Sequence, residues 1–403
     1  MGKLTIVHVA DYVMPVMGYQ DFALAKWNAR HGHEVHLVTS DRYTPVPHYE
    51  RTWEPLLGPR LISPSVEQIE GVTIHRLPCR LELKRRPWLA GLSEALERIR
   101  PDVVLCHGTA SPSAFALPSI CRRLGSALLM DNHETFGSAR RGLSGLVYHL
   151  ALRALSRRLL NGSVYRFLGV AQECCDFMVQ RQGIPAEKVD RLDLGVDTDI
   201  FRPDDLARQR ARAEYGIPKD AQVIVQTGKL TRDKGPHWLA QAMAPIMRDD
   251  PNVWLVFVGS APAAYAEEIV QPLARLAVDD RLRFLPLVRI SKLMEIFNLA
   301  DICVYPGESS LSCLEAGACG RPVIVTDLPW GRDRESIGVA VCYQIGDVDD
   351  LKRKISELLS NPEQLKAIGQ RARTTILERF SYDAVATRSE QFMREAVKAY
   401  GRH

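Results

Sequence analysis

The chain has 403 residues, 46% of them hydrophobic and 25% charged, with a formal net charge of +4. That length suits two domains of ordinary size, each able to bury its own core, and the composition argues against large-scale disorder. The small charge excess, with no Lys/Arg run longer than three (as at Lys84-Arg85-Arg86), and the lack of zinc-finger, RNP-like or basic-zipper patterns argue against a nucleic-acid partner.

The nine cysteines are odd in number and form no C-x-x-C pair. They are expected to be reduced, mostly buried thiols of a cytoplasmic protein. No cluster has zinc-ligand spacing, so no metal is expected. The start, Leu4-Thr5-Ile6-Val7-His8-Val9-Ala10, reads as a first strand rather than a signal peptide. No uninterrupted apolar run approaches the roughly 20 residues of a membrane span.

In chain order, strands are expected at 4–10, 34–39, 72–77, 102–107, 127–132, 166–171 and 189–194. Helices are expected between most of them, including 21–31, 88–99 and 174–182. Apolar runs separated by helices predict parallel strands covered on both faces. The polar, proline-containing stretch around Gly195-Val196-Asp197 and Phe201-Arg202-Pro203 marks a boundary, giving domains 1–203 and 204–381. The pattern restarts with strands at 222–227, 253–258, 281–287, 302–305, 322–326 and 339–343, and helices at 236–247, 291–299 and 311–319. The tail, 382–403, is helical in pattern through Tyr400 and long enough to pack back on the first domain. The expected fold is α/β, two doubly wound domains facing across a cleft. In such sheets ligands bind beyond the carboxyl ends of the strands.

Two segments suggest phosphate chemistry. The first is the turn Gly228-Lys229-Leu230-Thr231-Arg232-Asp233-Lys234-Gly235, with a helix opening at Pro236. Lys229 and Lys234 flank that turn and can converge on one anion. A βα loop with solvated lysines is the alternative. The second runs Gly307-Glu308-Ser309-Ser310-Leu311-Ser312-Cys313-Leu314-Glu315. There a strand ends and a short helix offers N–H groups to an anion. A helix dipole contributes about 0.3–2 kcal/mol. A lysine about 4 Å from the charge contributes on the order of 4 kcal/mol at an effective dielectric of 20, or roughly three decades of rate if the charge develops only in the transition state. Glu315, one turn into the helix, can accept bonds from two ribose hydroxyls. A dipole-complementing acid or cap is the alternative.

Together these residues resemble the family 4 glycosyltransferases of the GT-B fold, whose domains are Rossmann-like. That family carries G-R-L-x-x-x-K-G and an E-x7-E segment ending L-E-A-x-A-x-G-x-P-V. The counterparts here are Gly228-Lys229-Leu230-x-x-x-Lys234-Gly235 and Leu314-Glu315-Ala316-Gly317-Ala318-Cys319-Gly320-Arg321-Pro322-Val323. Gly32-His33-Glu34-Val35, Gly183-Ile184-Pro185, Gly195-Val196-Asp197 and Phe201-Arg202-Pro203 extend the resemblance over almost the whole chain.

The resemblance implies retaining transfer from a nucleoside-diphosphate sugar, without a metal or other cofactor. Lys229 and Lys234 would bind the diphosphate; Lys229 stands where the family usually has Arg and lacks its bidentate fork. Glu315 would hold the ribose, and Ser309, Ser310, Leu311 and Ser312 would line the phosphates. Gly228 belongs to the donor loop and Val288 to the base site. Gly18 matches the N-terminal glycine loop, with Met17 in place of its first glycine. His133 matches the active-site histidine that touches the transferred sugar, or is a structural strand-end histidine; His107, also at a strand end, reads as structural. Eight positions before Glu315 the family has Glu, whereas this chain has Gly307; Glu308 is expected to take the sugar contact after a one-residue deletion.

The acceptor is expected to be a saccharide or a lipid-linked saccharide in cell-envelope polysaccharide or glycolipid synthesis. Segment 140–160 is apolar with basic punctuation and is read as a core helix or as a peripheral contact with the inner face of an anionic membrane. A non-catalytic sugar-nucleotide-binding partner and a sugar-nucleotide epimerase are the competing readings.

Overall fold

The computed structural model describes residues 2–46, 48–83, 85–137, 142–274, 279–308 and 310–400. It comprises two compact units: Met1–Gly195 with Tyr382–His403, and Val196–Ser381.

The first unit is built on strands β1 (Thr5–Ala10), β2 (Glu34–Ser40), β3 (Ser65–Ile69), β4 (Val72–Leu77), β5 (Cys79–Leu83), β6 (Arg86–Leu89), β7 (Val103–His107), β8 (Ala127–Asn132), β9 (Arg166–Gly169) and β10 (Val189–Arg191). Eight of them form one sheet in the order β10-β9-β8-β7-β1-β2-β4-β3. Its neighbours pair in parallel, apart from the antiparallel edge pair β3–β4. Ile6, Leu37 and Leu105 pack on one face, and Val7, Val38 and Val104 on the other. This period of two follows from the alternation of side chains along a strand, and both faces are covered by helices.

The expected helix at 88–99 is shorter. Arg86–Leu89 pairs antiparallel with Cys79–Leu83, and the helix spans Leu92–Ile99. Gly91, at φ +79°, makes the left-handed turn between them.

The second unit holds β11 (Gln222–Thr227), β12 (Val253–Val258), β13 (Leu282–Leu285), β14 (Ile302–Tyr305), β15 (Val323–Thr326) and β16 (Val341–Tyr343). Their order is β13-β12-β11-β14-β15-β16, all parallel. The chain moves outward from β11 to β13, then crosses back to β14. The carboxyl ends of β11 and β14 therefore flank the topological switch point, where such sheets bind ligands.

The division between units falls at Gly195, ahead of the boundary expected at 203. Polar residues and Pro203 suggested a connector, but its apolar members belong to the second core. Val196 and Phe201 are 2% and 1% exposed there, and the Val196 N–H donates to the Phe380 carbonyl at 2.7 Å.

The last helix, Tyr382–Ala399, belongs to the first unit. Val385, Ala386, Phe392, Met393 and Ala396 join the core that contains Ile6 and Leu24. All nine cysteines are free thiols, and all except the partly exposed Cys79 are buried. Among the described residues no helix is long and apolar enough to cross a membrane.

Candidate active site

The loop after β11 is anchored at its root. Gly228 and Leu230 donate to the carbonyls of Val258 and Ser260 at 2.9 and 3.1 Å, and Leu230 is 1% exposed. Sinking Leu230 into the core leaves Lys229 exposed beside it. Arg232–Lys234 forms a short 3-10 turn, and Gly235 at φ +65° leads into the helix Pro236–Asp249, with proline in its first turn.

The segment after β14 is pinned against this loop. Tyr343 Oη donates to Pro306 O at 2.6 Å, and Thr326 Oγ1 to Gly307 O at 3.1 Å. The Glu308 N–H donates to Asp233 O at 2.8 Å. Lys234 Nζ donates to the Glu308 carbonyl at 3.3 Å, and Gln226 Nε2 to Lys234 O at 3.0 Å. Two segments distant in sequence thus form one backbone-to-backbone turn at the switch point. Burial pulls the Lys234 ammonium below its ordinary value; Asp233 and Glu308 act in the opposite sense, and Lys229 adds to the depression. Two ammonium groups close enough to repel each other make a site that gains from an anion.

The structure gives a physical reason for the unusual Gly307. A Cβ there would lie 2.1 Å from Asp233 O and 2.5 Å from Lys234 C. The position eight residues before Glu315 is closed by the lysine loop, and the exposed acid at this turn is Glu308.

Ser309 lies outside the described residues. The helix spans Ser312–Ala318, starting one residue later than expected, and Ser310 and Leu311 precede it. Seven residues give a weak dipole, so the lysines dominate the electrostatics here. Tyr305 Oη donates to Ser312 O at 2.8 Å and lies 3.1 Å from Thr227 Oγ1, tying the helix start to both strand ends. Glu315 is 9% exposed, and its burial pushes the carboxyl up to about 7, against a smaller opposing hydrogen bond from Ser312. Val288 follows β13 at the same edge of the sheet, half-buried against the core.

The first unit carries its own polar group beyond β1, β7 and β8. Gly18 closes the Pro15–Met17 turn at φ +67°, and its carbonyl accepts from Tyr382 Oη at 3.4 Å. His133 follows β8, 46% exposed, with Nε2 3.6 Å from Asp131 Oδ1. His107 ends β7 with Nδ1 2.5 Å from Asp131 Oδ2. Asp131 escaped the sequence reading; its signal was a carboxylate in the otherwise apolar run Ala127-Leu128-Leu129-Met130.

The comparisons with known proteins follow this division. The family described as "Glycosyltransferase Family 4" matches residues 22–200, and "Glycosyl transferases group 1" matches 207–375. The D-inositol 3-phosphate glycosyltransferase of Segniliparus rotundus is 30% identical over 83% of this chain and 75% of its own length. The enzyme of that name from Saccharomonospora viridis is 28% identical over 84% of this chain and 83% of its own. A glycosyltransferase structure from Rickettsia africae aligns over 99% of this chain and 100% of its own, with a TM-score of 0.74 and 15% identity. Anabaena HepE in complex with UDP aligns over 97% and 100%, with a TM-score of 0.71 and 15% identity. With both halves matched and a relative at 30% identity covered over three quarters of its length, the chain belongs to glycosyltransferase family 4 and is a glycosyltransferase of the GT-B fold.

Proposed function

We propose that this enzyme transfers a hexosyl group from a nucleoside-diphosphate sugar to a hydroxyl of a saccharide or lipid-linked acceptor, with retention at the anomeric carbon. The observation that carries this reading is the paired Lys229 and Lys234 at the β11–β14 switch point, with Lys234 held against Glu308. The bond from the anomeric carbon to the diphosphate oxygen breaks, and a bond to the acceptor oxygen forms. The acceptor proton leaves with the departing phosphate. Negative charge grows on that phosphate in the transition state, where the two ammonium groups stabilise it most. Glu315 accepts from the ribose hydroxyls, Glu308 contacts the sugar, and Ser310 to Ser312 lie under the phosphates. Gly18 and His133 serve the same reaction from the first unit, and no metal has a part in this scheme.

A surface feature supports the lipid-linked acceptor, and with it work at the inner membrane face in glycolipid or envelope polysaccharide synthesis. On the helix Gly142–Leu155, Leu143, Leu146, Val147 and Leu150 are 83%, 53%, 65% and 59% exposed. Their spacing puts them on one face. Arg157 and Arg158 continue the segment, exposed. An apolar stripe ending in cations suits an anionic bilayer surface. Residues 140 and 141 of this segment lie outside the described residues. A second reading, a soluble phosphorylated polyol acceptor, is favoured by the name of the Segniliparus rotundus relative.

The test is a transfer assay with UDP-, GDP- and ADP-sugars against lipid-linked, saccharide and inositol-phosphate acceptors, together with liposome flotation. Transfer to a lipid-linked saccharide and flotation only with anionic lipid are expected. Transfer to inositol phosphate alone, without flotation, selects the second reading. No transfer from any donor overturns both.

A further inference from the structure

A continuous polar chain runs through the first unit from the middle of the last helix to the carboxyl end of β8. Glu390 Oε1 accepts from Asn28 Nδ2 at 2.8 Å and from His31 Nδ1 at 2.9 Å. Asn28 Oδ1 faces His8 Nε2 at 3.0 Å, and His8 Nδ1 faces His107 Nε2 at 3.0 Å. His107 Nδ1 faces Asp131 Oδ2 at 2.5 Å, and Asp131 Oδ1 accepts the Gly108 N–H at 3.1 Å. His8, Asn28 and Asp131 are fully buried, and the His107 side chain is 7% exposed.

Counting donors fixes the protons. A carboxylate only accepts, so Asn28 must turn its NH2 to Glu390 and its oxygen to His8. An amide oxygen also only accepts, so His8 carries its proton on Nε2. Burial, with the nearby His107 charge, drives His8 down to about 3, so the ring is neutral and Nδ1 is a bare acceptor. His107 must then donate through Nε2. The two rings lie inclined by 13°. The remaining nitrogen of His107 meets a carboxylate.

We propose that His107 is a fixed imidazolium, a positioning residue that holds the Asp131 carboxylate ionised and turned toward His133. The positioning role rests on the reading of His133 given above; the charge state does not. His107 faces His8 on β1, Asp21 on the helix Gln20–Arg30 and Asp131 on β8, with His133 beyond Asp131. Burial alone would lower His107, but the Asp131 charge and hydrogen bond, with Asp21, raise it. Burial alone would raise Asp131, but the histidine charges and hydrogen bonds hold it below the usual carboxylate range. A buried cation and anion stabilise each other in place, whereas either alone is strongly disfavoured. The result is a rigid, ionised support 3.6 Å behind an exposed imidazole.

Long-range 1H–15N spectra of the full chain, labelled at histidine nitrogen, test the charge. His107, assigned from the signal lost in His107→Gln, is expected to show two protonated nitrogens at about pH 7 and to lose one only above its ordinary value. His8 is expected to stay neutral with its proton on Nε2. A His107 that is neutral at about pH 7, or that titrates near its ordinary value of about 6.5, overturns the proposal. In folded His107→Gln, kcat is expected to fall by about 10–100-fold, as a misplaced group near the chemistry does, with the donor KM changed less than about twofold. Unchanged kcat in that variant overturns the positioning role. Wild-type turnover in His133→Ala would remove the separate reading of His133; the spectra would still decide the charge.

Discussion

A Cβ on Gly307 would stand 2.1 Å from the carbonyl oxygen of Asp233. The obstacle is backbone, not a flexible side chain, so one loop must move to admit it. Gly307→Ala is expected to lower stability by about 1–3 kcal/mol, the usual cost of overpacking, and to reduce transfer by displacing Lys234. Gly307→Glu, which restores the family's residue eight positions before Glu315, is expected to be worse rather than better. Glu308→Gln is expected to stay folded and lose turnover. Urea denaturation and steady-state kinetics on the three variants check this; an active Gly307→Glu would contradict it.

Lys234 and Lys229 are expected to be unequal. Lys234 is half-buried and bonded to Glu308 O, while Lys229 is exposed. Lys234→Ala is expected to reduce kcat by on the order of a thousandfold, the equivalent of about 4 kcal/mol, without unfolding. Lys229→Ala is expected to lose less, and Lys229→Arg to retain activity, since a guanidinium suits phosphate geometry. Circular dichroism separates folding from function in each.

Glu315 is expected to give donor binding a pH dependence. Its carboxyl is raised to about 7 by burial. A raised folded value means that the folded state holds the extra proton between roughly pH 4.5 and 7. Its contribution to stability is therefore largest below that window and is lost as pH rises through it. Ribose hydroxyls donate, and so favour the ionised form. Donor affinity is expected to rise about tenfold from pH 6 to 8, and the slope to vanish in Glu315→Gln. Isothermal titration at several pH values reads both.

The docking of the last helix weakens in the same direction of pH, but through the loss of a cation rather than the gain of an anion. Burial lowers the His31 value, but the Asp383 hydrogen bond and Glu390 outweigh it and leave the imidazole raised. Its stabilisation is complete below about pH 6.5 and is lost as pH rises through the raised folded value. His31→Ala is expected to cost about 1–2 kcal/mol near pH 6 and clearly less near pH 9, measured by thermal or chemical denaturation at both.

The legible parts of the fold were those whose pattern is local. Val253-Trp254-Leu255-Val256-Phe257-Val258 is six consecutive apolar residues, and the strand has those bounds. Arg86–Leu89 was missed because Pro87 and Trp88 adjoin a helical pattern, and proline is tolerated only at an edge such as this two-stranded hairpin. In the site, Lys229, Lys234 and Glu315 stood out because each sits on a strand-loop-helix passage. The contact of Gly307 with Asp233 did not, because it depends on β11 lying beside β14. His8, His107 and Asp131 are neighbours only through the sheet order β8-β7-β1, so no spacing along the chain announces them.

The lysine pair at the β11–β14 switch point is expected to bind a nucleoside-diphosphate sugar. The most direct measurement is the melting temperature of wild type and Lys234→Ala in a panel of UDP-, GDP- and ADP-sugars. A donor at 100 times its dissociation constant adds about 2.7 kcal/mol. One donor is expected to raise the melting temperature of the wild type and to lose most of that effect in Lys234→Ala. No shift with any donor, or an equal shift in both proteins, would contradict it.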